Sequence, residues 1–141
     1  MEPIASRATD VVRRFFDAYL RKRDLYAVTR CVTDDVRWIG TGAFERAGEG
    51  FRHYLDILRE ELENEPEGYG LTLRNVRAVP LGESACYVEG DFWIDRCLPG
   101  DGTHRLDVRF TVVCVARGDG ECRIRARAPD ARILFPAPPT A

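Results

Sequence analysis

The hydrophobic period of the chain changes near Gly68. Before it, apolar residues recur every three to four positions; after it, they alternate. Over residues 6–22, Val12, Phe15, Phe16, Tyr19 and Leu20 share one helical face while Arg13, Arg14, Asp17, Arg21 and Lys22 fall elsewhere on the wheel, which predicts a first helix. Asp24 is placed to cap a shorter helix with a face of Leu25, Val28 and Val32, stopped by Thr33, Asp34 and Asp35. Val36, Trp38 and Ile39 make a short apolar strand, and Gly40 and Gly42 form a corner where the backbone bends without strain. Phe51, Tyr54, Leu55, Leu58 and Leu62 mark a third helix that ends near Asn64, ahead of Pro66. Its Arg59, Glu60, Glu61 and Glu63 form a solvated face.

Beyond Gly68 four strands are predicted, at 69–79, 85–95, 104–117 and 122–135, joined by turn-forming stretches and followed by the proline-rich tail PAPPTA. Cys86, Val88, Gly90, Phe92 and Ile94 lie on one face of the second of these, as do Leu106, Val108, Phe110, Val112 and Cys114 in the third. That face must meet the helices. The other carries Tyr87, Trp93, Val113 and Val115 among charged residues, a mixture suited to a surface half-covered by a partner. A homodimer through this outer face is the expectation.

A length of 141 residues fits one domain with a core that needs no staples, with residues 1–5 and 136–141 as loose termini. Composition is that of an ordinary soluble globule, and arginines are balanced by carboxylates to a net charge of −2, so nothing favours nucleic acid. No apolar run is long enough for a bilayer and residues 1–10 lack a signal-peptide pattern, so the expected location is cytoplasmic. The five cysteines show no CxxC spacing and form no ligand cluster with His; they are expected to be free structural thiols, with Cys97 the most exposed. No metal or cofactor is implied.

The run FFDAYLRKRDLYAVTRCVTDDVRWIGTGAFE, together with the order helix, short helix, strand, helix and long sheet, resembles the nuclear-transport-factor-two-like superfamily. That superfamily includes ketosteroid isomerase, scytalone dehydratase and SnoaL-like polyketide cyclases, and the run is most similar to the SnoaL-like domains of bacterial sensor and signalling proteins. The resemblance extends in outline to Arg127. It implies an α+β, cystatin-like architecture: a cone-shaped, curved antiparallel sheet packed on three N-terminal helices. The chain departs from such relatives in its last strand, where CRIRARAP carries neither the His nor the Ser that tends to precede a proline.

Such a fold implies a mostly apolar pocket between the concave sheet and the helices, lined here by Phe16, Tyr19, Trp38, Thr41, Phe44, Tyr54, Leu58, Phe92 and Phe110. The expected ligand is apolar or amphipathic, and the expected role that of a binding domain, sensory or accessory. The alternatives are a cofactor-free isomerase, dehydratase or cyclase, and a dimerisation module without a cavity. Acid–base work in an apolar cavity needs a carboxylate or His with a shifted pKa, and the candidates are Glu45, His104 and Asp35, with Tyr19 or Tyr54 as hydrogen-bond donor to an oxyanion. Asp91 falls on the outer face by alternation, and His53 on the outside of the third helix. Neither GTGAFERAG nor GDG has the lysine and context of a phosphate loop.

Overall fold

The computed structural model describes residues 3–38, 48, 49, 51–98, 100, 102–118 and 120–134. Helix α1 (Ile4–Phe16) begins two residues before the expected start, because Ile4 is itself buried in the core. Residues 4 and 5 therefore belong to the helix and not to a loose terminus. The helix runs on into a π-helical turn, Asp17–Lys22, a widening that side-chain periodicity does not reveal. Arg23 closes that turn in the left-handed region, at a φ of 54°. Its guanidinium donates to the carbonyls of Tyr19 and Glu65, both at 3.0 Å. Helix α2 (Leu25–Thr29) is capped as its sequence predicts, the Asp24 carboxylate accepting from the Ala27 N–H at 3.1 Å.

Val32 was expected on the face of α2, and Thr33 to Asp35 as its stop. Instead all four open strand β1 (Val32–Trp38). Sheet pairing is the reason: Val32 registers with Ile124, and the Cys31 carbonyl accepts from the Ile124 N–H at 2.8 Å. Strand β2 (Gly48–Glu49) and helix α3 (Phe51–Asn64) follow, and then a long meander of β3 (Gly70–Pro80), β4 (Ala85–Leu98), β5 (Gly102–Ala116) and β6 (Cys122–Leu134). The order across the six-stranded sheet is β2-β1-β6-β5-β4-β3, antiparallel except for the parallel pair of β1 with β6. That parallel pair arises because β1 enters from the helical layer and not through a hairpin.

Alternation along the meander sends Val88, Phe92 and Ile94 of β4, and Val108, Phe110 and Val112 of β5, into one core with Val12, Phe15 and Phe16 of α1. Contact demands a glycine where α3 ends and β3 approaches. A Cβ at Gly68 would sit 1.7 Å from the Arg21 carbonyl oxygen, where the loop after α3 docks on the π turn and the Tyr69 N–H donates to Leu20. The result is an α+β fold with the helices on the concave side of the sheet. Among the described residues no helix is long and apolar enough to cross a membrane.

Candidate functional site

The inner face of the sheet is where the sequence places a pocket, and its middle is filled. The Phe16 ring lies 4.9 Å from Phe92 and 4.7 Å from Phe110, centroid to centroid, and none of the three is more than 4% exposed. Leu58 of α3 belongs to the same core. Gly90 makes room for this packing, since a Cβ there would stand 2.8 Å from Cζ of Phe110. Three residues expected to line a cavity thus act as a plug across the cone.

Beyond the plug the cover thins. Along β5, buried Phe110 and Val108 give way on the same face to half-buried Leu106 and His104. His104 stands opposite Arg96 of β4 in the register. Thr41, Phe44 and Glu45 lie outside the described residues, as do the side chains of Trp38, His53 and Tyr54.

Two expected site residues are directed elsewhere. Tyr19 donates its hydroxyl to Glu61 of α3 at 2.6 Å and its ring lies 5.7 Å from the Arg23 guanidinium, so it ties the π turn to α3 and has no free hydroxyl for an oxyanion. Asp35 is exposed on β1, 3.1 Å from Arg125 and 3.6 Å from Arg117. The Thr33 hydroxyl and these two guanidinium groups hold its carboxyl below the ordinary carboxylate range. A solvated, ion-paired carboxylate of this kind is the opposite of a desolvated acid.

The outer face is more elaborate than alternation alone suggests. Trp93 is clasped from both flanking strands, with Arg74 of β3 4.2 Å and Arg105 of β5 4.8 Å from its ring centroid. Arg105, which the sequence reading did not single out, is buried there and grips Asp95 with two hydrogen bonds, of 2.8 and 3.2 Å. Bonding to Asp95 raises its already high pKa. The register that sets Asp95 opposite Arg105 was the available signal. Asp91 is on this face as alternation requires, ion-paired with Arg74 at 2.8 Å. Tyr87 donates its hydroxyl to Glu89, and Tyr87, Trp93, Val113 and Val115 are all half-buried.

Four cysteines are free and buried; the side chain of Cys97 lies outside the described ones. Cys86 and Cys114 face each other across β4 and β5, with Cys122 beginning β6 beside them. Bonding to Cys122 and burial push the Cys114 thiol far up. Cys122 is drawn down by that same bond and by the positive charges of Arg7 and Arg14. Among the described residues no three His, Cys, Asp or Glu side chains gather to hold a metal ion.

This architecture, a curved sheet half-wrapped by helices at its N-terminal end, is the nuclear-transport-factor-two-like, cystatin-like fold, and comparison with solved structures bears it out. A ketosteroid isomerase-like protein from Erwinia carotovora atroseptica aligns over 98% of this chain and 100% of its own, with a TM-score of 0.76 and 12% identity. LinA aligns over 95% and 93%, with a TM-score of 0.77 and 18% identity. The CaMKII hub of S. rosetta aligns over 91% and 96%, with a TM-score of 0.74 and 14% identity. No protein-family model matches the sequence, and no curated protein matches it. A ketosteroid isomerase-like protein and a CaMKII hub share this scaffold, so function has to be argued from the site.

Proposed function

We propose that this chain is a binding domain for a small apolar or amphipathic molecule, held at the wide end of the cone, and that two copies associate through the outer sheet face. The observation that carries the reading is the change along the inner face of β5, where Leu106 and His104 keep inward parity but lose the burial of Val108 and Phe110. An apolar wall ending in one polar, titratable group is the usual make-up of a small-molecule site. Thr41, Phe44 and Glu45 belong to the proposed ligand set on the strength of the sequence. A role in sensing or as an accessory domain fits a site of this kind, and any proton transfer would fall to His104 or Glu45. The clasped Trp93 amid half-buried Tyr87, Val113 and Val115 is a rigid aromatic anchor of the sort that interfaces use.

A thermal-shift panel of steroids, polyketides and aromatic acids tests the binding. A ligand at about 100 times its Kd stabilises by about 2.7 kcal/mol, several degrees in melting temperature. Leu106→Arg should remove the shift, and His104→Ala should weaken amphipathic ligands more than apolar ones. A panel without any shift, or shifts that survive in both variants, would sink the reading. Sedimentation of the chain and of Val113→Asp tests the dimer: the variant is expected to run as a monomer.

A further inference from the structure

β3 is the last strand in the order of the sheet and, among the described residues, pairs with β4 alone, so the backbone groups on its other side have no ladder to join. Its first half, Gly70 to Arg74, runs in unbroken register against Asp95 to Asp91. After Arg74 the register shifts and Asn75 takes a left-handed φ of 56°, a bulge of the kind that closes an edge to further pairing. The stretch able to accept another strand is therefore Gly70 to Arg74.

Beside that stretch a groove of about 460 Å³ opens between α1, the π turn and β3, lined by Arg13, Arg14, Asp17, Arg21, Leu71 and Leu73. Leu71 and Leu73 stand opposite buried Ile94 and Phe92 on the inner face, yet are themselves only half-buried. The charge over this apolar floor is one-sided. Among the described lining residues Asp17 is the only carboxylate, and Arg21 and Lys22 share it. Arg13 and Arg14 are exposed and have no carboxylate partner among the described residues; Asp10, a turn earlier on α1, pairs with neither. On the outer face of the same stretch, Asp91 and Asp95 are held by Arg74 and Arg105. The groove keeps a net positive charge.

The geometry points to an extended acidic peptide as the occupant: a segment of a partner protein that adds as a strand beside Gly70 to Arg74, its inward side chains alternating between aliphatic ones on Leu71 and Leu73 and acidic ones on Arg13 and Arg14. Hydrogen bonds along the free edge supply affinity, and the groove selects the sequence. A second copy of this chain fits poorly, because pairing β3 with β3 would set the arginines of one groove against those of the other. Ile94 separates Leu71 from Leu106 in the register, so this site and the one at the mouth of the cone can fail independently.

Fluorescence anisotropy of a labelled, end-blocked peptide made of two repeats of Leu-Thr-Glu-Thr, titrated with the intact chain, tests the proposal; this sequence puts leucine and glutamate on one side of a strand. Saturable binding with a Kd below about 1 mM is expected, about fivefold weaker in Arg13→Gln/Arg14→Gln and lost when lysine replaces glutamate in the peptide. Both arginines are exposed and glutamine is a good helix former, so the double variant should melt where the parent does. Two further peptides, N-methylated on their odd or on their even residues, read the edge. An added strand bonds through alternate residues, so one of them should bind as the unmodified peptide does and the other should not. No saturable binding up to about 1 mM, binding by the lysine peptide or the double variant within about twofold of the original, or the same result from both methylated peptides overturns the proposal.

Discussion

Replacing Gly90 with Ala tests how tightly the cone is plugged, because the two possible answers differ in sign. A glycine in an ordinary strand is unfavourable relative to alanine by roughly 0.5–1 kcal/mol, so with free space beside it Gly90→Ala would stabilise. The structure leaves no space. The new Cβ would lie 2.8 Å from Cζ and 3.1 Å from Cε1 of Phe110, and 3.3 Å from the Arg74 carbonyl oxygen. Phe110 has nowhere to retreat, since its ring is set against Phe16 at 4.7 Å and Phe92 at 6.1 Å. Forcing a methyl into such a core costs about 1–3 kcal/mol, and a boxed ring puts this case in the upper half of that range. At about 2–4 °C per kcal/mol the melting temperature should fall by about 4–12 °C. Urea denaturation of the parent, Gly90→Ala, Phe110→Leu and the double variant gives the cycle. Trimming the ring should relieve the clash, so the double variant should be more stable than the sum of the single effects implies, by about 1 kcal/mol or more. A stabilised Gly90→Ala, or additivity within about 0.5 kcal/mol, would refute the plug.

Three further outcomes follow from the described contacts. As pH is raised, iodoacetamide should modify Cys122 before Cys31, Cys86 and Cys114, because of these four described thiols only Cys122 is drawn downward and so carries thiolate at lower pH; peptide mapping that finds Cys31 or Cys86 labelled before Cys122 contradicts this. Asp24→Ala should cost about 1 kcal/mol in chemical denaturation through loss of the cap of α2, with Asp24→Asn largely restoring it. Arg105→Lys keeps the charge but loses the two-pronged grip on Asp95, so quenching of Trp93 by iodide should rise as the clasp loosens; unchanged quenching would show that the clasp does not depend on the fork.

Much of the architecture was legible because period and turn chemistry carry it. The alternation from Ala85 and from Leu106 reports inward and outward faces directly, and Asp24 announces its helix by a cap that needs only local chain. The failures share one cause, a tertiary contact that outvotes a local preference. Val32 completes a helical face by spacing, yet a register with Ile124, more than ninety positions away, makes it a strand. The π turn keeps the polar and apolar order of an α-helix, so periodicity cannot separate the two. Its existence rests instead on Arg23 and on a glycine at 68 that lets the next loop approach.

The same limit governs the site. Phe16, Phe92 and Phe110 could be assigned to the inner face, but whether aromatic rings on a concave sheet line a cavity or fill it depends on their mutual angles and on a missing methyl at Gly90. Tyr19 shows the point most sharply. Helical spacing places its ring with Phe15 and Phe16, and the ring is buried as that requires, but its hydroxyl extends past the core to a carboxylate of another helix. Spacing fixes where a side chain starts and leaves open where its polar end finishes. Among the described residues on the inner face of β5, His104 is the polar side chain that keeps inward parity while being only half-buried.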